Sequence, residues 1–152
     1  AWKIKVGTGD ATPVLSGKKI YVFSRQATDE TVLCLDAETG KEIWTYKYAA
    51  PAVTGPAGSH PGPRSTPVVF NNKIITYGVS GIVTCLDASN GKLIWKEDDP
   101  SNPVLQFYTS MSPLIVEGKC IVHLGGKDKG KVAAFDLNTG EEKWAYTGEG
   151  PS

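Results

Sequence analysis

The side chains with the widest chemical reach in this 152-residue chain are His60, His123, Arg25, Arg64, Lys127, Gln106, Tyr108 and Ser110. Arg64 lies three residues before Pro67, and Ser110 three before Pro113. An arginine so placed suits a carboxylate or phosphate, and Tyr108, Gln106 and Ser110 would add neutral hydrogen-bonding groups. The same Arg64 and Tyr108 could equally tie long loops to their neighbours. The two histidines are far apart in the chain, so a zinc site would need carboxylate or cysteine help; the plainer reading is two solvated loop residues. Gly125-Gly126-Lys127 has the composition of a phosphate-cradling loop but neither the spacing nor the following helix, which leaves a glycine-rich hairpin. Glu97-Asp98-Asp99 offers three carboxylates to a calcium ion or forms a solvated strand end. No Gly-x-Ser-x-Gly, His-Glu-x-x-His or Cys-x-x-Cys is present. Nothing assembles a nucleophile with its base, so no catalytic residue and no metal site is assigned.

The elements that must position these groups announce themselves by repetition. Cys34-Leu-Asp-Ala-Glu-Thr-Gly-Lys-Glu-Ile-Trp44, Cys85-Leu-Asp-Ala-Ser-Asn-Gly-Lys-Leu-Ile-Trp95 and Ala134-Phe-Asp-Leu-Asn-Thr-Gly-Glu-Glu-Lys-Trp144 share one pattern. The tryptophans follow one another at 51 and 49 residues, and Trp2, 42 residues before Trp44, is read as the tail of a fourth copy. A period of this size marks solenoids and propellers. Within each copy the pattern predicts four strands. Strand A follows Thr12-Pro13, Thr66-Pro67 or Ser112-Pro113, where proline is tolerated at a strand's first residue. Strand B starts at Ile20, Ile74 or Cys120. Strand C covers Thr31 to Leu35, Ile82 to Leu86 and Lys131 to Phe135, and strand D covers Glu42 to Tyr46, Leu93 to Lys96 and Glu142 to Tyr146. Between C and D the repeated Asp-x-x-x-Gly places Asp36, Asp87 and Asp136 to cap turn amides, and Gly40, Gly91 and Gly140 to take positive φ.

Val32 and Cys34 point to one face of strand C and Leu33 and Leu35 to the other, so both faces are apolar and both must be covered. A four-stranded meander covered by copies of itself is a propeller blade, whereas separate sandwiches would need more than ~50 residues per core. The fold expected is all-β: an open arc of three four-stranded antiparallel blades plus one orphan strand, part of a larger propeller. Residues 1–8 are the orphan outer strand, 9–48 blade 1, 49–99 blade 2 with a long Pro/Gly-rich loop leading in, and 100–152 blade 3. Such an arc leaves apolar faces uncovered, so the expected partners are the remaining blades of a parent propeller or further copies of the chain.

Loop lengths say which face is adjustable. From the proline of strand A to the tryptophan of strand D is 31, 28 and 31 residues, but from tryptophan to the next proline is 11, 23 and 18. The variation sits in the D-to-A connections. In a meander these emerge on the same side as the B-to-C hairpins, opposite the uniform A-to-B and C-to-D turns. Binding residues favour variable loops on a rigid scaffold. That places Arg64, His60, Tyr108, Ser110, Gln106, Arg25, His123 and Lys127 on the expected binding face, for a small-molecule or protein ligand.

The thrice-repeated Asp-x-x-x-Gly-(Lys/Glu)-x-x-Trp after a small residue resembles the tryptophan-docking motif of pyrroloquinoline-quinone-type (PQQ-like) β-propellers. The resemblance spans essentially the whole chain. It implies a parent with eight blades, tryptophans Trp44, Trp95 and Trp144 packed between blades with Trp2 a partial match, and a periplasmic or extracellular location. That superfamily includes bacterial quinoprotein alcohol dehydrogenases and the lipoprotein scaffold of outer-membrane β-barrel assembly. The dehydrogenases pair adjacent cysteines beside a quinone, with calcium ligands and a catalytic aspartate nearby. Here Cys34, Cys85 and Cys120 are separated and the calcium ligands have no identifiable counterpart. PQQ with calcium is therefore expected only if this chain is a piece of such a dehydrogenase whose ligands lie elsewhere; otherwise no cofactor is expected and the reading is a non-catalytic binding module.

The bulk numbers exclude other classes. Sixteen basic and sixteen acidic side chains cancel, so no single-sign field draws nucleic acid or an anionic bilayer. No apolar run approaches the ~20 residues of a membrane helix, and the first residues lack the pattern of a signal peptide. The three cysteines read as small buried apolar residues.

Overall fold

The computed structural model describes residues 1–101, 108–126 and 129–148. Among these residues twelve strands form three antiparallel meanders. Blade 1 holds β1 (Val14–Ser16), β2 (Lys19–Gln26), β3 (Asp29–Asp36) and β4 (Glu42–Ala49); blade 2 holds β5 (Val68–Phe70), β6 (Lys73–Tyr77), β7 (Val83–Asp87) and β8 (Leu93–Glu97); blade 3 holds β9 (Leu114–Val116), β10 (Lys119–Leu124), β11 (Gly130–Asp136) and β12 (Glu142–Gly148). Each sheet runs in chain order, because two-residue turns with positive φ close the hairpins: Gly17, the Asn71-Asn72 pair and the Glu117-Gly118 pair.

The blades stack face to face. Val32, Cys34 and Trp44 of blade 1 share a core with Ile74, Ile82 and Leu86 of blade 2. Ile75, Val83, Cys85 and Trp95, on the other face of blade 2, share one with Cys120, Val122, Ala133 and Phe135 of blade 3. On the outer face of blade 1, Val22, Leu33 and Leu35 cluster with the half-buried Val6 and Ile20. Strand alternation sorts these two sets, and burying them is the main stabilising term.

A β-bulge recurs at one place in every blade, between Cys34 and Leu35, Cys85 and Leu86, and Ala134 and Phe135. It shifts the register so that the tryptophan, rather than its neighbour, faces the small residue: Cys34 pairs with Trp44, Cys85 with Trp95 and Ala134 with Trp144. A cysteine or alanine leaves room for the indole, which is why the repeat keeps a small residue there. All three thiols are buried.

Two expectations are corrected. Residues 1–8 form no ladder strand: their ladder-type contact among the described residues is one isolated bridge, from Thr8 to Arg25 of β2, and a single bridge does not extend into a strand. Strands β2 and β3 also run further than expected, to a tight Ala27-Thr28 turn with Ala27 at φ 53°, so Arg25 belongs to a strand rather than a hairpin loop. The long connection before β5 contains a 3-10 helix, Gly55–Ser59, started by Pro56.

The Asp-x-x-x-Gly turns are built alike. Asp36 accepts from the amides of Glu38 (3.1 Å) and Thr39 (2.7 Å), Asp87 from Ser89 (2.7 Å), and Asp136 from Asn138 (2.9 Å) and Thr139 (3.0 Å). Donors to the charged form hold all three carboxyls below the usual range, through the Thr39 hydroxyl first at Asp36, the Ser89 hydroxyl at Asp87 and the Asn138 amide at Asp136. A depressed folded-state pKa stabilises above the unfolded value of about 3.9 and is lost as the pH falls through the folded one. The urea midpoint is therefore expected to fall on acidification below about pH 4, and Asp36→Asn together with Asp136→Asn should flatten that fall. A pH series of urea titrations checks both.

Candidate functional site

Three of the four tryptophans, Trp2, Trp44 and Trp95, reach forward to the turn of the next repeat. Trp44 Nε1 donates to the Ala88 carbonyl (3.2 Å) and Trp95 Nε1 to the Leu137 carbonyl (3.1 Å). Trp2 makes the same contact with Ala37 at 3.1 Å, although it lies in no strand. The glycine of each turn carries the ring: a methyl at Gly40, Gly91 or Gly140 would sit 2.5, 2.6 or 2.7 Å from Trp2, Trp44 or Trp95. Trp44 and Trp95 are 8% and 7% exposed, against 43% for Trp144.

On the opposite side the D-to-A connections are stitched together. Asp10 and Ala11 donate their amides to the Pro63 carbonyl (2.8 and 3.0 Å), and Gly62 lies so close to Thr8 and Gly9 that a side chain there would meet their backbone. Thr54 donates its amide to the Tyr108 phenol oxygen (2.9 Å), Ser65 its hydroxyl to the Met111 carbonyl (2.5 Å), and Thr66 its amide to the Ser112 hydroxyl (2.9 Å). These contacts link the incoming loops of all three blades.

The expected binding residues separate into groups. His60, exposed, pairs through Nδ1 with Asp10 Oδ2 at 3.1 Å, and Arg64, half-buried, donates to the His60 carbonyl at 3.3 Å. Tyr108 ties its loop to Thr54, and that Thr54 contact, assisted by Arg64, holds the phenol below the usual tyrosine range. Ser110 is exposed beside it. Arg25 is a correction: its buried guanidinium donates to the carbonyls of Ala50 (3.0 Å), Pro51 (3.1 Å), Ala27 (3.3 Å) and Thr28 (3.4 Å). A guanidinium so occupied braces the loop after β4. His123 is a second correction: it lies within β10, and its carbonyl accepts the Tyr77 hydroxyl at 2.5 Å. Gln106 and Lys127 lie outside the described residues.

A cleft of about 550 Å³ opens on this face, lined by Lys5, Gly7, Thr8, Arg25, Gln26 and Pro61 among others. Two cations line it, Lys5 and Arg25, the latter already bonded to four backbone carbonyls. Lys5 and Thr8 escaped the sequence reading because they precede the first repeat landmark.

Glu30 also escaped it. It is fully buried, accepts the amide of Val79 (2.9 Å) on Oε1 and the Tyr48 hydroxyl on Oε2. Burial pushes its carboxyl up, opposed by those two donors and by the Arg25 charge. A signal was present: Glu30 shares strand parity with Val32 and Cys34, and the matching positions of the other repeats are Gly81 and Gly130.

Stacked four-stranded meanders joined by an indole seated on the next blade's turn define a segment of a β-propeller. The chain belongs to the family described as outer membrane protein assembly factor BamB, which matches residues 1–152. It is 28% identical over 142 residues to quinohemoprotein alcohol dehydrogenase ADH IIB of Pseudomonas putida, covering 90% of this chain and 20% of that protein. It is 28% identical over 110 residues to outer membrane protein assembly factor BamB of Kangiella koreensis, covering 72% of this chain and 26% of that protein. Among solved structures, quinohemoprotein alcohol dehydrogenase ADHIIG from Pseudomonas putida superposes with a TM-score of 0.71 at 25% identity, over 96% of this chain and 22% of that one. The chain thus spans about a fifth of the length of the dehydrogenases it matches.

No adjacent cysteine pair of the kind expected beside a quinone occurs in the sequence. Cys34, Cys85 and Cys120 sit in separate strands, and burial pushes the Cys85 and Cys120 thiols up to about 12. Among the described residues no three His, Cys, Asp or Glu side chains converge for a metal. In the Glu97-Asp98-Asp99 run, Asp98 pairs with Lys96 at 2.7 Å and Asp99 accepts from Ser101 at 2.8 Å. Also among the described residues, no helix is long and apolar enough to cross a membrane.

Proposed function

We propose that this chain is a non-catalytic propeller module that binds an anionic group, a carboxylate or phosphate of a small molecule or protein segment, on its loop-rich face. The observation that carries the reading is the cleft of about 550 Å³ where three loop-face segments meet around Lys5. Its size falls in the ~300–1,000 Å³ range of ligand sites, and the Lys5 ammonium on its wall suits an anion. Arg64 and Tyr108, adjacent on the same face, extend the polar surface towards the incoming loop of blade 3. The tryptophan contacts serve assembly: they align blades and leave the loop face free to vary. Membership in a family described by outer membrane protein assembly supports a place in the cell envelope and a role beside other proteins.

Titration of the chain with succinate and with inorganic phosphate, followed by amide NMR shifts, tests the reading. Saturable shifts are expected around Lys5, Gly7, Thr8 and Gln26, and Lys5→Glu should abolish them without changing the thermal midpoint. No saturable shift with either anion, or shifts unaffected by Lys5→Glu, would refute the cleft as the site.

A second reading has its own support in the similarity to quinohemoprotein alcohol dehydrogenases: the chain is a piece of such an enzyme, with the quinone ligands in other blades. Added PQQ with calcium is expected to bind this chain without saturation. Saturable micromolar binding by calorimetry, removed by Arg64→Ala, would favour the enzyme.

A further inference from the structure

A single carboxylate connects three blades near the loop face. Glu30 projects from β3 of blade 1 into the junction with blade 2, at a repeat position that is glycine in both other copies. Its Oε1 accepts the Val79 amide, in the hairpin that joins β6 to β7 of blade 2. The carbonyl of the same Val79 accepts the Thr109 amide at 3.0 Å, in the incoming loop of blade 3. Glu30, Val79 and Thr109 are all buried, so each of these bonds forms away from competing water and is costly to leave unmade. Gly78 makes the approach possible: a methyl there would crowd Glu30 and lie 2.7 Å from the Tyr48 hydroxyl. Tyr48 in turn orients the carboxylate from β4.

We propose that Glu30 is a positioning residue for the loop face: from blade 1 it holds the blade 2 hairpin through Val79, and through Val79 it places the blade 3 loop that carries Tyr108. A buried carboxylate is a costly way to fill space, and a polar group in that setting favours one arrangement over its neighbours. Here the arrangement it favours is the relative placement of Tyr108 and the loop containing Thr54, which Tyr108 grips. The titratable groups facing Glu30 are Arg25 from β2 and Tyr48 from β4, while β6 presents Thr76 to Tyr48. The inference rests on the loop face being the binding face, but its test needs no ligand, so failure of anion binding would leave it standing and its own failure would not touch the cleft.

Amide hydrogen exchange and NMR titration of the chain provide the test. In Glu30→Met, which keeps volume but removes both acceptors, the Val79 and Thr109 amides should exchange about tenfold faster relative to the β6 and β7 ladder. Glu30→Gln retains an acceptor for Val79 and should restore protection at both. Unchanged exchange at Thr109 in Glu30→Met, an equal loss across the sheet, or a Gln variant as impaired as the Met variant would each overturn the proposal. If Glu30→Met fails to fold, the wild-type chain decides: the Val79 and Thr109 amide shifts should titrate with one common midpoint above the ordinary glutamate range, and separate or absent midpoints would overturn it.

Discussion

Trp95→Ala is expected to destabilise the chain by about 3–5 kcal/mol, the range of buried aromatic truncations. With a urea dependence of roughly 2 kcal/mol per molar, the midpoint should fall by about 2 M. The ring is 7% exposed, its centroid lies 6.2 Å from that of Phe135, and its Nε1 holds the Leu137 carbonyl. Truncation removes apolar contact from both blades and leaves that carbonyl with only the weak Cys85 thiol donor at 3.8 Å, two losses that act together. Trp144 supplies the internal comparison. At 43% exposure it has no turn beneath it among the described residues, so Trp144→Ala should cost about 0.5 kcal/mol or less, as exposed substitutions do. Equal costs at the two positions would show that burial between blades is not what the indole contributes.

Gly140→Ala is expected to cost about 2–5 kcal/mol, from two sources that can be separated. Gly140 has φ +75°, a region that costs an L-residue roughly 1–2 kcal/mol. The new methyl would also lie 2.7 Å from Trp95 Cγ. That atom is at the root of a buried ring that cannot swing aside, so overpacking adds about 1–3 kcal/mol. Gly118 isolates the first source: its φ is +71° and the space around it is open, so Gly118→Ala should cost only the backbone share. In a double-mutant cycle the overpacking share of Gly140→Ala should vanish once Trp95 is alanine, giving a coupling of more than about 1 kcal/mol. Additive costs would mean that ring and glycine do not meet.

The periodic part of this protein was legible in its sequence because it depends on local rules. Asp-x-x-x-Gly is a turn wherever it occurs, strand alternation sorts Val32 and Cys34 from Leu33 and Leu35, and two apolar faces require covering on both sides. These determined the meander, the stacking of blades and the uniform turn face. The partner of each indole was less legible: Trp44 meets Gly91, 47 residues on, and only stacking brings the two together. The loop face was legible as a place, through its variable lengths, but not in its contents. Arg25 read as a binding-face hairpin residue and Glu30 drew no reading at all, because composition near a turn signals solvent. Tertiary structure buried both, since β2 and β3 run on to Gln26 and Asp29 and the next blade closes over them. A charged side chain's role follows from which backbone groups lie within about 3 Å of it, and that is decided by the packing of segments far apart in the chain.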